Sequence, residues 1–122
     1  MRIYLIGFMG SGKSHTGNKL AELLKIPFVD LDHKIEEQEQ TTIAALFEKL
    51  GERRFRELEK KVLHQTLLQK DAVISCGGGT PCFFDNMEWM NEHGVTIYLQ
   101  TSESLLVERL NREKSKRPLI VN

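Results

Sequence analysis

Short apolar runs alternate along this chain with longer segments in which apolar residues recur every three or four positions. The short runs lie at 2–6, 28–30, 72–75 and 95–99, and polar or glycine-rich residues follow most of them. Runs of this length without polar alternation predict buried strands of a parallel sheet.

Helical spacing fills the segments between the strands. Helices are predicted at 14–25, 43–50, 52–70, 86–92 and 102–110. Thr41 and Thr42 are predicted to cap the second helix, and Gly51 to end it in a left-handed conformation. The polar, basic segment 111–122 is predicted to be a mobile surface segment. Alternating strands and helices predict an α/β fold with parallel strands and right-handed crossovers.

Length and composition narrow the choice of function. The 122 residues fit one domain, and 17 basic residues balance 17 acidic ones, so net charge does not indicate nucleic acid or an anionic membrane as partner. No apolar run has the length needed to span a bilayer, and the first residues lack the apolar region of a signal peptide, so we expect neither a membrane span nor a leader. We expect a cytoplasmic protein whose two cysteines are free thiols.

The strongest chemical signal is the run G-F-M-G-S-G-K-S at 7–14, between a predicted strand and a predicted helix. Its spacing is that of a phosphate-binding loop, in which backbone N–H groups surround the phosphates. Lys13 is expected to reach the β- and γ-phosphates and Ser14 to ligate Mg²⁺. The alternative is a glycine-rich turn that merely starts a helix. Predicted nucleotide contacts are Gly10, Ser11, Gly12, Lys13, Ser14 and His15.

Two carboxylates, Asp30 and Asp32, follow the second strand. Ligands bind at the carboxyl ends of strands in open α/β sheets, so alternation across a strand would put one carboxylate near a metal and the other near a substrate hydroxyl. The alternative is that both only cap the next helix.

Three glycines, Gly77, Gly78 and Gly79, follow the third strand. Consecutive glycines indicate a close backbone approach, either to a ligand or in a tight turn before Pro81.

Arginines supply the remaining candidate contacts. Arg56 lies three residues before Glu59 on a predicted helix, where the pair could hold a guanidinium ready for a carboxylate ligand. Periodicity alone does not distinguish Arg56 from Arg53 and Arg54, which together look like a solvated face. Arg117 lies in a basic segment that is either a lid over transferred phosphate or ordinary surface.

In combination these motifs resemble the shikimate kinase family. The runs G-F-M-G-S-G-K-S, F-V-D-L-D, G-E-R-R-F-R-E-L-E, S-C-G-G-G and R-P-L occur in that order along essentially the whole chain. The resemblance implies a three-layer P-loop NTPase fold with strand order 2-3-1-4-5. It also implies ATP- and Mg²⁺-dependent phosphorylation of the 3-hydroxyl of shikimate, in aromatic amino acid biosynthesis.

The resemblance also implies roles for individual residues. Asp32 would bind the shikimate hydroxyls and act as the base, and Arg56, oriented by Glu59, would bind the shikimate carboxylate. The backbone of Gly78 and its two neighbours would touch the substrate.

On the nucleotide side, the resemblance assigns Asp30 to Mg²⁺ and Lys13 to catalysis. Arg117 would be a catalytic lid arginine in contact with ATP, and Arg109 would lie near adenine.

The expected organisation is a single kinase domain over 1–122, with a substrate-binding region at 31–60 and the start of a lid at 111–122. Family members extend about fifty residues further, so the fifth strand, a second substrate arginine and the adenine loop are expected to be absent from this chain. We expect a monomer whose partners are shikimate and ATP. The alternatives are a gluconate or nucleoside monophosphate kinase, or a nucleotide-binding fragment without activity.

Overall fold

A four-stranded parallel sheet forms the centre of the fold. The computed structural model describes residues 1–7 and 13–99. The strands are β1 (Arg2–Ile6), β2 (Phe28–Asp30), β3 (Ala72–Ser75) and β4 (Val95–Tyr98). They pair in the order β2-β3-β1-β4, and every pair is parallel. The predicted strands are therefore confirmed, and their order agrees with the first four positions of the expected topology.

Helices cover both faces of the sheet, as a three-layer fold requires. They are α1 (Lys13–Leu24), α2 (Leu31–Glu39), α3 (Ile43–Gln65) and α4 (Asn86–His93), with short 3-10 turns at Thr66–Leu68 and Thr80–Cys82. Side chains alternate across β1, so that Tyr4 and Ile6 pack into a core with α2, α3 and α4. Ile3 and Leu5 pack into a second core with α1.

Helix α2 was not predicted. It starts directly after β2, and in its nine residues only Leu31 and Ile35 are buried. Asp30 is its N-cap, because Oδ1 accepts a hydrogen bond from the His33 backbone N–H at 3.2 Å. Two apolar positions four residues apart are too few to give a clear helical periodicity, so the hydrophobic pattern predicted no helix in this segment.

Helix α3 joins two segments that were predicted as separate helices. Thr42 caps it as expected, accepting from the Ala45 backbone N–H at 3.1 Å. Gly51 has the predicted positive φ of 79°, but its ψ of 167° is not that of a left-handed helical residue, and the chain kinks and re-enters a helix. The predicted end at residue 70 is wrong, because α3 ends at Gln65 and Leu67 is 43% exposed.

The sheet brings the candidate residues to one edge. Because all four strands are parallel, the residues that follow Ile6, Asp30, Ser75 and Tyr98 lie at the same side of the sheet. Within 1–7 and 13–99, no helix has the length and apolar character needed to cross a membrane. The predicted helix at 102–110 and the predicted lid at 111–122 lie outside the described residues.

Candidate active site

Lys13 is the first residue of α1 and lies next to the end of β1. Its Nζ donates a hydrogen bond to the Gly7 carbonyl oxygen at 2.9 Å. Partial burial lowers the pKa of Lys13, and the negative charges of Asp32 and Asp30 oppose that effect. The ammonium group is thus held at the start of the loop, in the field of two carboxylates.

Ser14 and Asp30 are in direct contact. Ser14 Oγ donates to Asp30 Oδ2 at 3.0 Å, while the other oxygen of Asp30 caps α2. The alternative role of Asp30 as a helix cap is therefore confirmed, and it coexists with the contact to Ser14 because each carboxylate oxygen serves a different partner. The predicted alternation across a strand is wrong, because Asp32 lies in the first turn of α2.

The Ser14 and Asp30 pair has the donor chemistry that suits Mg²⁺. Mg²⁺ prefers oxygen ligands and is usually held by one or two carboxylates together with substrate phosphates and water. Among the described residues there is no group of three or more histidine, cysteine or acidic side chains that could hold a metal. A hydroxyl and one carboxylate therefore fit a metal that is shared with phosphate oxygens.

Asp32 lies partly buried beside the glycine turn. Burial is the main cause that raises the pKa of its carboxyl group above the ordinary 3.8. The carboxylates of Asp30 and Glu59 act in the same direction, whereas Lys13 lowers this pKa. A carboxylate that is poorly stabilised in its ionised form is a suitable proton acceptor.

Arg56 and Glu59 form a buried ion pair on α3. Arg56 Nη1 lies 3.0 Å from Oε1 and 3.2 Å from Oε2 of Glu59. The side chains are 15% and 1% exposed, respectively. The guanidinium carbon lies 4.2 Å from the centre of the Phe83 ring. Arg56 Nε is buried and has no hydrogen-bond partner within the described part of the chain.

The three neighbouring arginines, which the sequence could not rank, differ in their surroundings. Arg53 is 91% exposed and forms an ion pair with Glu57 one turn further along the helix. Arg54 is also exposed. Only Arg56 of these three is enclosed by aromatic rings and a buried carboxylate. Arg56 is therefore the one suited to bind an anion through charge-assisted hydrogen bonds.

The glycine turn passes close to both candidate side chains. A methyl group added at Gly77 would lie 3.1 Å from Asp32 Oδ1, and one added at Gly79 would lie 2.7 Å from Arg56 Nη2. The backbone therefore approaches Asp32 and Arg56 closely at these two positions, and a methyl group at Gly79 would require the Arg56 guanidinium to move. Gly78 lies between them and is exposed, so its backbone is accessible.

Sequence reasoning missed two residues that follow the glycine turn. Thr80 is fully buried, and its Oγ1 donates to Glu59 Oε2 at 2.8 Å. Phe83 covers one face of the Arg56 guanidinium. The available signal was that Thr80 and Phe83 follow within four positions of the glycine turn. Their spacing in the sequence does not indicate that they contact Glu59 and Arg56.

Several predicted nucleotide contacts lie outside the described residues. They are Gly10, Ser11, Gly12, Arg109 and Arg117. His15 is described and lies exposed in the first turn of α1.

Both cysteines are free, as predicted. Cys76 is buried directly before the glycine turn, and burial raises the pKa of its thiol. It is therefore kept in the unreactive protonated form.

Comparison with protein families gives a match that covers most of the chain. The model of the family described as shikimate kinase matches residues 9–122. A curated shikimate kinase from Bacteroides fragilis is 50% identical over 120 residues, which cover 98% of this chain and 67% of that protein. One from Phocaeicola vulgatus is 49% identical over 121 residues, which cover 99% of this chain and 69% of the relative.

Solved structures give the same result. The crystal structure of shikimate kinase from Bacteroides thetaiotaomicron has a TM-score of 0.81 at 47% identity, covering 97% of this chain and 67% of that one. The shikimate kinase from Acinetobacter baumannii, solved in complex with shikimate, has a TM-score of 0.79 at 42% identity, covering 97% of this chain and 65% of that one. A gluconokinase from Sinorhizobium meliloti, with a TM-score of 0.54 at 21% identity, shares the fold alone.

Proposed function

This chain belongs to the shikimate kinase family, and on that premise we propose that it transfers the γ-phosphoryl group of ATP to the 3-hydroxyl of shikimate. The observation that carries the proposal is that Asp32 and Arg56 both lie against the turn formed by Gly77, Gly78 and Gly79. Shikimate has a carboxylate and neighbouring hydroxyls on one ring, so it needs a fixed cation and a hydrogen-bond acceptor at one site.

Arg56 is the proposed partner of the shikimate carboxylate. Its Nη1 is occupied by Glu59, whereas Nε is buried without a partner among the described residues. Glu59 and the Phe83 ring fix the guanidinium before the substrate arrives, so little side-chain freedom is lost on binding. The exposed backbone of Gly78 is proposed to contact the ring beside it.

Asp32 is the proposed general base. Its raised pKa makes the ionised form a better proton acceptor than an ordinary aspartate. As the 3-hydroxyl oxygen forms its bond to the γ-phosphorus, the bond from that phosphorus to the bridging oxygen breaks, and Asp32 accepts the hydroxyl proton. Holding the two reactants in this orientation can supply about 7–11 kcal/mol of the barrier reduction.

Lys13, Ser14 and Asp30 are proposed for the nucleotide side. Lys13 would contact the β- and γ-phosphates, and Ser14 with Asp30 would hold Mg²⁺. When bound there, Mg²⁺ would neutralise charge on the phosphate oxygens. We propose further contacts from Gly10, Ser11, Gly12, His15 and Arg117.

The proposed acceptor site draws on one region of a single chain. Asp32 and Arg56 both lie within 31–60, which we propose as the substrate-binding region, and the turn at Gly77–Gly79 lies against both. Because the residues that we propose for this site all come from one chain, we propose that the protein acts as a monomer. Sedimentation at assay concentration would test this.

Formation of ADP in the presence of Mg²⁺ tests the proposed function. Shikimate, gluconate and nucleoside monophosphates would each be offered at a series of concentrations. We expect the highest kcat/KM with shikimate, and a higher value with gluconate would refute the proposal. Calorimetry with Mg·ATP and with shikimate separates the remaining alternative, because a nucleotide-binding fragment without activity would bind ATP and not shikimate.

A further inference from the structure

We infer that Thr80 is a positioning residue, which orients Arg56 through Glu59 for binding of the substrate carboxylate. This inference rests on the proposed function. Thr80 follows directly on the glycine turn, and its side chain is fully buried against α3. It has no place among the residues that would touch the substrate.

The contacts form a short chain of hydrogen bonds. Thr80 Oγ1 donates to Glu59 Oε2 at 2.8 Å. The same carboxylate accepts from Arg56 Nη1 through both oxygens, at 3.0 and 3.2 Å. Glu59 is 1% exposed, so water cannot readily replace either donor. The carboxylate is therefore held from two directions, by Thr80 on one side and by Arg56 on the other.

Thr80 itself is anchored by its backbone. Its N–H donates to the Gly77 carbonyl oxygen at 3.2 Å. Its carbonyl oxygen accepts from Nδ2 of Asn86, a fully buried residue at the start of α4, at 2.9 Å. A β-branched side chain on an anchored backbone has few accessible rotamers. The hydroxyl position is thus fixed relative to the turn that the substrate would contact.

Loss of the Thr80 hydroxyl would act on Arg56. With one donor removed, the buried Glu59 carboxylate would rely on Arg56 alone and would draw the guanidinium into a new orientation. The hydrogen bonds that Arg56 offers to a substrate carboxylate would then be misdirected, since fork geometry determines that contact. Nucleotide binding should change much less, because Lys13 and Ser14 are on α1, where Lys13 Nζ and Ser14 Oγ donate hydrogen bonds at the ends of β1 and β2 rather than to this pair.

The test compares Thr80→Val, which keeps the shape and loses the hydroxyl, with Thr80→Ser, which keeps the hydroxyl. We expect Thr80→Val to raise the KM for shikimate about five- to thirtyfold, with little change in the KM for ATP. Thr80→Ser should stay within about twofold of the wild-type chain. Equal effects of both variants, or equal effects on both KM values, would mean that Thr80 is only structural and would overturn the inference.

A double-mutant cycle shows whether Thr80 acts through Arg56. In an Arg56→Lys background the guanidinium fork is already lost, so Thr80→Val should add little to the shikimate KM. If Thr80→Val raises the KM for shikimate by the same factor in the Arg56→Lys background as in the wild type, the inference is overturned. If Thr80→Val does not fold, as judged by thermal unfolding, Thr80→Ala replaces it in the same comparison.

An NMR measurement separates this inference from the proposed function. The nitrogen and proton signals of the Arg56 guanidinium should shift in Thr80→Val and remain near their wild-type positions in Thr80→Ser. Unchanged signals in both variants would overturn the inference, whatever the enzyme phosphorylates. If the Arg56 signals shift in Thr80→Val and not in Thr80→Ser, but the wild-type chain does not phosphorylate shikimate, the proposed function alone would be refuted.

Discussion

Replacing Arg56 with alanine removes the group that we propose for the substrate carboxylate. Truncating one partner of a buried, hydrogen-bonded charge pair costs about 2–5 kcal/mol of binding free energy. That corresponds to an increase of about 30- to 4000-fold in the KM for shikimate. The KM for ATP should change by less than about twofold, because Arg56 is on α3 and the phosphate loop leads into α1.

The same substitution should also lower the free energy of unfolding. Glu59 is 1% exposed and would lose its guanidinium partner, although Thr80 would still donate to it. Breaking a buried ion pair in this way costs about 3–5 kcal/mol of unfolding free energy. Domains are usually stable by about 5–15 kcal/mol, so the variant should still fold at 25 °C with a lowered Tm.

Arg53→Ala is the matched control. Arg53 lies one turn away on the same helix, but its side chain is 91% exposed and its pair with Glu57 contributes only a few tenths of a kcal/mol. Steady-state kinetics with each substrate varied in turn, together with thermal unfolding, would be measured for both variants. If Arg56→Ala raises both KM values equally, or leaves the shikimate KM at the Arg53→Ala value, then Arg56 is structural.

Three further changes test other parts of the site and its surroundings. Asp32→Asn should lower kcat at least about 100-fold. An unchanged kcat would exclude Asp32 as the base. The same substitution should stabilise the fold at neutral pH, because the pKa of Asp32 is raised in the folded wild type, which therefore loses stability as the pH rises through the folded-state pKa. Gly79→Ala would place a methyl group 2.7 Å from Arg56 Nη2 and should raise the shikimate KM about tenfold; an unchanged KM would argue against the proposed role of the turn. His64 stacks on Trp89 at 4.3 Å, and burial lowers its pKa below the ordinary 6.5. The free energy of unfolding in urea should therefore decrease as the pH is lowered from 6.5 through the folded-state pKa of His64, and it should decrease less in His64→Phe. An equal decrease in the wild type and in His64→Phe would refute this role of His64.

The strands and the position of the site could be predicted because their signals are local. Each strand is a continuous apolar run that ends at a glycine or polar residue, and parallel strands bring such ends to one edge. Helix α2 could not be predicted, because Leu31 and Ile35 are its only buried positions. As a result the geometry expected for Asp30 and Asp32 was wrong, although both residues do lie at the expected edge.

The choice among the three arginines needed tertiary structure. Arg53 and Arg56 lie on the same helix within one turn, and only packing against Phe83 and burial of Glu59 distinguishes them. The contact from Thr80 to Glu59 spans 21 residues, so no local pattern could indicate it. For the glycine turn the sequence predicted a close approach to a ligand or a tight turn, and the close approach to Asp32 and Arg56 could not be predicted because those side chains are distant in sequence.

The most direct measurement is a crystal structure of the chain with shikimate and a non-hydrolysable ATP analogue. We expect the shikimate carboxylate on the Arg56 guanidinium, a ring hydroxyl within hydrogen-bonding distance of Asp32, and the ring against the backbone of Gly78. Shikimate bound elsewhere, or with its carboxylate on another cation while Arg56 contacts only Glu59, would contradict the proposed acceptor site.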